Sequence, residues 1–528
     1  MFRRAILFAA LVTVATVAMV TAPAAAGQER ANLDALDRIR DEAFKRSQVM
    51  ETVSYLTDVY GPRLTGSPHL KVAADYIIER LTAWGLENPR LERWGPFGPG
   101  WSNDRFIALA ISPRAYPLIA YPKAWTPGTA GAQIAEAVMA LVDDESDFEK
   151  YRGNLHGKFV LTAPARHLQA RFEAPARRYS AEELSNLARP DRGASEPERQ
   201  LSEERFEFVR KRMQFFVDEG VGALLEPSGD GGTVFVGDGR LTAAFAAGLY
   251  PWPEPVAPQV VVAAEHYNRI ARTLEKDIPV LLELDIANTY YTADADSFNV
   301  IAELPGSDKA RELVIIGAHL DSWHAGTGAT DNAAGSAVML EAMRILKATG
   351  LKLRRTVRVT LWTGTEQGRL GSRAYVAQHF ADPATMQPRP EHADVAAYLN
   401  LDGGTGAIRG LYLQGNEAVA PILASWMAPF KSTGMDVLSL SSTDGDHASF
   451  EAVGLPAFHF IQDPIEYETR TEHSNMDVYE RLQASDLMQN AVIVASFVYQ
   501  AANRDVSLPR KPLPKPQPQS AGPPSPAR

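Results

Sequence analysis

From residue 313 to 348 the chain reads LVIIGAHLDSWHAGTGATDNAAGSAVMLEAMRILKA, an order that leaves little freedom of fold. Residues 313–316 are an apolar, β-branched run of the kind that forms a strand buried on both faces. Past its end come His319 and Asp321, then a loop punctuated by Gly326 and Gly328, then Asp331-Asn332. Apolar residues follow at Ala337, Val338, Leu340, Ala342, Met343, Ile345 and Leu346, and their spacing predicts a helix packed on the sheet. Strand, polar loop and helix make half of a βαβ unit, and such units keep their chemistry just beyond the carboxyl ends of strands. Imidazole and carboxylate are both zinc ligands, so His319 and Asp331, on opposite sides of the strand-to-helix turn, can converge on one ion.

The same order recurs. Residues 357–362 run out into Thr365 and Glu366, residues 396–401 into Asp402, and residues 457–461 form a further apolar run, while residues 297–304 form a strand ahead of the first stretch. Apolar strands that end in acids or histidines, with helical segments between, predict an α/β fold built on a doubly wound, mostly parallel sheet with helices on both faces. Upstream, helical spacing over 33–86 is broken by the turn-rich residues 61–68, and 91–94 reads as a strand. The Pro-, Gly- and aromatic-rich segment that follows, to about residue 131, is assigned with them. From about Gln133 the character changes: 134–138, 157–161 and 258–262 read as strands and the region around Phe215 as a helix that ends at 220–225, a β-rich module of its own. The expected organisation is residues 34–131 and 291–503 as two parts of one α/β domain, with 132–290 inserted. Within the insert, residues 166–212 interleave acids and bases and read as a solvated helical excursion. The tail, 507–528, is Pro-rich and polar and is expected to be disordered.

A chain of 528 residues with 45% hydrophobic content can bury a large core and divide into domains. Its formal net charge of −11 argues against a nucleic-acid partner, which needs a basic face. With no cysteine in the sequence there are no disulfides or thiolate sites, so any metal must be held by His, Asp and Glu. Arg3 and Arg4, an apolar run from 5 to 20 and the small residues ending at Ala26 read as a signal peptide over 1–26. No other stretch is long and apolar enough to span a bilayer, so a secreted or periplasmic protein with no membrane partner after cleavage is expected. Collected from the strand ends and one later turn, His319, Asp331, Glu366, Asp402 and His473 have the composition of a two-metal site in which one carboxylate bridges both ions.

The motifs that bear this set are His319-Leu-Asp321-Ser-Trp323, Asp331-Asn332, Trp362-Thr-Gly-Thr-Glu366-Gln-Gly368 with Gly371-Ser372, Asp402-Gly403 and His473-Ser474. In this order they resemble the di-zinc exopeptidase family of bacterial aminopeptidases and glutamate carboxypeptidases. Gly61-Pro-Arg-Leu-Thr-Gly-Ser67 and Asp296-Ser-Phe-Asn299 place the resemblance nearest the plasma glutamate carboxypeptidase branch, and it spans residues 33–503. It implies an inserted domain like the protease-associated domain of such enzymes. It also implies two zinc ions, with Asp331 touching both, His319 and Asp402 completing one and Glu366 and His473 the other. Asp321 would accept the second N–H of His319, the Asp331-Asn332 peptide would be cis, and Asp444, Asp446 and His447 would lie near the substrate pocket.

One position departs from the family pattern. Where the resemblance implies two adjacent acids, a general base followed by a zinc ligand, the chain has Thr365 before Glu366. Threonine cannot act as a base at neutral pH. The expected function is hydrolysis of dipeptides or short peptides through a metal-activated water, with Glu472 or Asp446 as substitute bases; the alternative is a catalytically impaired family member that binds peptides. A serine hydrolase is excluded for want of a Gly-x-Ser-x-Gly elbow. Which peptide terminus is cut, and whether the chain forms a homodimer, stay open at this level.

Overall fold

The computed structural model describes residues 31–189, 203–237 and 255–516. Within them the chain builds two eight-stranded sheets. β1 (Glu87–Trp94) enters the first sheet. The chain then lays down β2 (Gly100–Ser112), β3 (Tyr116–Pro117), β4 (Ala120–Pro122), β5 (Gln133–Met139), β6 (Phe159–Leu161), β7 (Ala223–Pro227), β8 (Gln259–Val262) and β9 (Val280–Tyr291) in the second. It returns with β10 (Ser297–Leu304), β11 (Lys309–His319), β12 (Arg355–Trp362), β13 (Val395–Asn400), β14 (Ile408–Tyr412), β15 (Val437–Ser439) and β16 (Ala457–Gln462). The signal peptide expected over 1–26 lies outside the described residues, as do residues 517–528 of the tail.

The first sheet has the order β1-β10-β12-β11-β13-β16-β14-β15. Its centre, β12, β11, β13 and β16, is parallel, and antiparallel pairing enters at β1, β10 and β14. Both faces of β11 are buried, and alternation sorts its side chains. Val314 and Ile316 join a core with the helices Leu33–Lys45, Ala334–Thr349 and Ala484–Asn503; Leu313 and Ile315 join another with the helix Leu370–His379 and Phe450. The sheet is thus an α/β layer with helices on both faces. Gly317 sits where a Cβ would come within 2.5 Å of the Tyr398 hydroxyl and 2.7 Å of Trp362 Nε1, so only glycine leaves room for the 2.7 Å hydrogen bond from Trp362 Nε1 to Tyr398 beside it. From β11 the chain goes to β12 on one side and then to β13 on the other. That reversal makes the carboxyl end of β11 a switch point, the place where such sheets bind ligands.

The second sheet has the order β3-β2-β9-β5-β6-β7-β8-β4 and its own core, which includes Phe159, Leu225, Val260, Leu282 and the helix Ala264–Leu274. β2 pairs with β9 along most of its length, from Gly100 opposite Tyr291 to Ser112 opposite Leu281. Residues 100–122, assigned from sequence to the first part of the α/β domain, therefore belong to the second sheet, and the crossing lies between Trp94 and Gly100. A strand whose partner is remote in the chain carries no local mark of the sheet it joins.

Two further expectations are corrected. The segment after β6 is not simply solvated: Arg178 forms ion pairs with Asp463 at 2.8 Å and Asp486 at 2.7 Å, and Arg177 makes a β-bridge with Ile465. The start of the tail is docked, with Leu508 buried and the Arg510 guanidinium donating to the carbonyls of His392, Ala393 and Val395. In both cases an arginine finds fixed acceptors, a partnership that composition does not reveal. No helix among the described residues is long and apolar enough to cross a membrane.

Candidate active site

The predicted ligands converge. His319, Asp331 and Asp402 form one set and Asp331, Glu366 and His473 a second, with the ligand atoms of each set within 4.8 Å of one another. His319 ends β11, Glu366 follows β12, Asp402 follows β13 and His473 lies in the connection after β16, so each parallel strand of the centre contributes one ligand. His319 Nε2 lies 3.1 Å from Asp331 Oδ1 and 3.2 Å from Asp402 Oδ1. His473 Nε2 lies 2.9 Å from Glu366 Oε2 and 3.4 Å from Asp331 Oδ2. The two oxygens of Asp331 therefore face different imidazoles, as a shared ligand requires.

Local chemistry fixes the Asp331 loop from three sides. Asn332 Nδ2 donates to the carbonyl of Leu401, the residue before Asp402, and its Oδ1 accepts from Gly335 N in the first turn of the following helix. A Cβ on Gly335 would stand 2.5 Å from that same Leu401 carbonyl, so glycine permits the close approach of helix and strand end. The peptide between Asp331 and Asn332 is cis. Asp477 Oδ1 accepts from the main-chain N–H of Thr330 at 2.6 Å and from its hydroxyl at 2.8 Å, and Asp477 Oδ2 accepts from the Asp331 N–H at 3.1 Å. The fully buried guanidinium of Arg63 donates to the carbonyls of Leu320, Leu56, Thr327 and Gly328, tying the Gly61–Ser67 turn to both ends of the loop. Thr65 completes this tie, donating to Asp321 Oδ2 while accepting from Gly364 N.

Asp321 acts differently from expectation. His319 Nδ1 faces the Asp321 main-chain carbonyl at 2.9 Å, and the Asp321 carboxylate is farther away at 3.6 Å. The carbonyl thus takes the Nδ1 proton and leaves Nε2 directed at the site. The carboxylate instead receives the Glu366 N–H at 3.2 Å and so orients the turn bearing that ligand. The carbonyl of His319 in turn accepts from the Ser336 hydroxyl at 2.7 Å.

The electrostatics favour positive charge between the imidazoles and the carboxylates. For His319, burial opposes the charged form, but Asp402, Asp321 and Asp331 outweigh it and raise the pKa well above the usual value. His473 is likewise raised to about 10 against the effect of burial, chiefly by Glu366. Burial would push Asp331 up, yet hydrogen bonding from His319 and the charge of His473 hold it at about 2. Glu366 is pushed up to about 8 by burial and by the charge of Asp331. Carboxylates this deeply buried are costly unless a cation answers them. A donor set of two imidazoles and three carboxylates, with no thiolate, fits zinc.

Thr365, the departure in the motif, points its hydroxyl at Asp446, donating to Oδ2 at 3.0 Å and Oδ1 at 3.2 Å. Asp446 is fully buried at the start of the short helix Asp446–Glu451, and burial pushes its pKa up to about 7. His447 turns away, with Nε2 at 2.9 Å from Gln414 Nε2 and 3.0 Å from the Thr443 carbonyl, and burial lowers its pKa to about 3. Asp444 pairs on the surface with Arg369. Two site residues went unnoticed in the sequence. Asp477 is one acid among 64 and gains meaning only from Thr330 and Asp331. Tyr467 lies near Asp331; burial, with the charge of Asp331, keeps its pKa well above the usual value, so it keeps its phenolic proton.

The second sheet closes over one side. Val236 N donates to the His473 carbonyl at 2.9 Å, Val234 N donates to Asn475 Oδ1 at 2.7 Å, and Phe235 forms a bridge with Ser474. Trp323, just past the His319 loop, joins Trp101, Trp125, Val236 and Val261 in an apolar cluster between the sheets. At Gly237 a Cβ would lie 2.4 Å from Trp323 Nε1 and 2.8 Å from His473 Cγ. His473 itself holds φ at +55°, in the left-handed region that is unfavourable for a residue with a Cβ.

Comparison with known proteins agrees with this geometry. The model of peptidase family M28 matches residues 299–498, which hold all five converging ligands. Carboxypeptidase Q of Bos taurus is 26% identical over 470 residues, covering 87% of this chain and 86% of that protein, and the Homo sapiens protein is 25% identical over 471. Among solved structures, the peptidase M28 precursor of Shewanella amazonensis SB2B superposes with a TM-score of 0.64 at 23% identity, covering 91% of this chain and 98% of that one. The zinc aminopeptidase BSAP of Bacillus subtilis superposes with a TM-score of 0.54 at 20% identity over 88% of this chain and 96% of its own. By its motifs, its α/β sheet and these matches, the chain is similar to peptidase family M28, whose model it matches over residues 299–498.

Proposed function

We propose that this protein is a secreted, zinc-dependent exopeptidase that hydrolyses dipeptides or short peptides, with one ion held by His319, Asp331 and Asp402 and a second by Asp331, Glu366 and His473. The observation that carries the reading is the sharing of Asp331 between two ligand sets. Zinc bound there would supply a lowered pKa for water and a polarised scissile carbonyl. The chain's own residues supply placement. The Asp321 carbonyl holds the His319 tautomer, and Asp477 and Arg63 fix the Asp331 loop. Trp323 and the backbone at Gly237 pack against His473. Secretion rests on the signal-like residues 1–26. The relatives include both a carboxypeptidase and an aminopeptidase. An unblocked dipeptide presents both termini and is therefore the substrate to test.

The second reading, a peptide-binding protein without turnover, is favoured by Thr365 at the motif's base position. Metal analysis of the full chain together with hydrolysis of a panel of unblocked dipeptides separates the two. Two equivalents of zinc with turnover at about 1–10³ s⁻¹ is the expected result. Zinc binding and saturable dipeptide binding without turnover would instead establish the second reading.

A further inference from the structure

We infer that Asp446 is the proton-transferring carboxylate of this active site and that Thr365 is its positioning residue. The inference rests on the peptidase reading above and deepens it.

Peptide hydrolysis needs a group that takes a proton from the attacking water and returns one to the leaving nitrogen. Four carboxylates surround the converging ligands without belonging to them, and three are unsuited. Asp321 is committed to the Thr65 hydroxyl and the Glu366 N–H. Asp477 is committed to the N–H groups of Thr330 and Asp331. Glu472 is only partly buried and directly precedes His473, whose left-handed backbone turns the chain sharply there. No hydrogen bond of the Glu472 side chain fixes it among the described contacts.

Asp446 is different in each respect. It is fully buried, and it is held by the Thr365 hydroxyl, which donates while leaving both carboxylate oxygens able to accept another proton. No lysine or arginine pairs with it among the described salt bridges; the nearby Arg369 is paired with Asp444. Its charge is felt together with those of His319 and Asp402, while Thr365, which grips it, is bonded in the chain to Glu366. It is therefore within electrostatic reach of His319 and Asp402, and its hydrogen-bond partner is the neighbour of Glu366 in the chain.

The geometry also explains the threonine. A glutamate at 365 would carry its carboxylate oxygens about 2.4 Å beyond its γ carbon, from ordinary bond lengths and angles. The Asp446 oxygens lie 3.0 and 3.2 Å from the Thr365 γ oxygen. A carboxylate is thus within the reach that a glutamate at 365 would have, supplied from a different element. In the proposed step the water oxygen bonds to the peptide carbonyl carbon as one water proton passes to Asp446. The C–N bond then breaks, its electron pair goes to nitrogen, and Asp446 returns that proton to the departing amine.

The test uses zinc-loaded full chain and a panel of unblocked dipeptides, with zinc content and melting temperature measured on each variant. Asp446→Asn should lower kcat by roughly 10²–10⁴-fold while zinc content stays that of wild type. Thr365→Val should lower kcat less, with zinc unchanged. Adding Thr365→Glu to Asp446→Ala should recover at least tenfold of the loss that Asp446→Ala causes alone, because the alanine vacates the place beside Thr365 and the carboxylate is returned there by the other route. Should Asp446→Asn fail to fold, Asp446→Glu, which keeps the charge but moves it by a methylene, must lower kcat at least tenfold. An active wild type with Asp446→Asn, or in its place Asp446→Glu, within threefold of it overturns the assignment and leaves the peptidase reading standing. A zinc-loaded wild type that cleaves no dipeptide overturns both.

Discussion

Asp331 is the residue on which the site turns, because its two oxygens face two imidazoles on different strand connections. Loss of an ordinary ligand should weaken one ion; loss of a shared one should weaken both. Asp331→Ala is therefore expected to retain no zinc after dialysis, and His473→Ala to retain one equivalent, both read by metal analysis. Two equivalents retained by Asp331→Ala would sink the shared-ligand assignment. The five converging residues were legible in the sequence because four of them follow an apolar run at a strand end and the fifth stands in the turn-rich connection after β16, contexts that single out a polar residue. Asp321 was legible as a participant but not in its role, since the group that meets His319 Nδ1 is a main-chain carbonyl and carries no residue identity. Thr365 was legible as a departure, but its contact with Asp446 joins residues 81 positions apart and no local pattern announces it.

At the scale of elements, the Gly61–Ser67 turn explains why a motif far from the metal ligands accompanies them. Arg63 is buried, and burial lowers its pKa to about 10, so it stays charged at neutral pH while serving four carbonyls of the β11 loop and its neighbours. Lysine has a single nitrogen and cannot reproduce that fork, so Arg63→Lys leaves buried carbonyls unmet at about 1–3 kcal/mol each. The expected outcome is a lower melting temperature in metal-free protein and a 10–100-fold loss of zinc affinity, as for other residues that orient ligands. Wild-type melting and zinc titration in Arg63→Lys would show that the turn does not hold the loop. The turn itself was readable from its Gly and Pro content. Its partner was not, because an arginine that donates only to carbonyls has no complementary acid to look for.

At the scale of the molecule, the two sheets meet at the site itself, and the second supplies part of what holds it. β2 joins β9 across most of the intervening sequence, which is why residues 100–122 could not be placed from local pattern although β5, β6 and β8 could. The residues after β7 reach the connection that bears His473 through Asn475. Its side chain accepts from Val234 N at 2.7 Å and donates to the Gly232 carbonyl at 3.2 Å, while its own N–H donates to the Val234 carbonyl at 3.1 Å. Asn475→Ala removes both side-chain bonds and strands the Val234 N–H, costing about 1–3 kcal/mol at that contact. His473 then keeps the Val236 N–H on its carbonyl but loses the side-chain part of the support beside its left-handed backbone, whereas His319, held within the first sheet by Asp321 and Ser336, loses none. Zinc titration of Asn475→Ala should accordingly resolve into one ion bound as in wild type and one bound 10–100-fold more weakly. If both ions bind with wild-type affinity, the second sheet is a neighbour of the site and not part of its support.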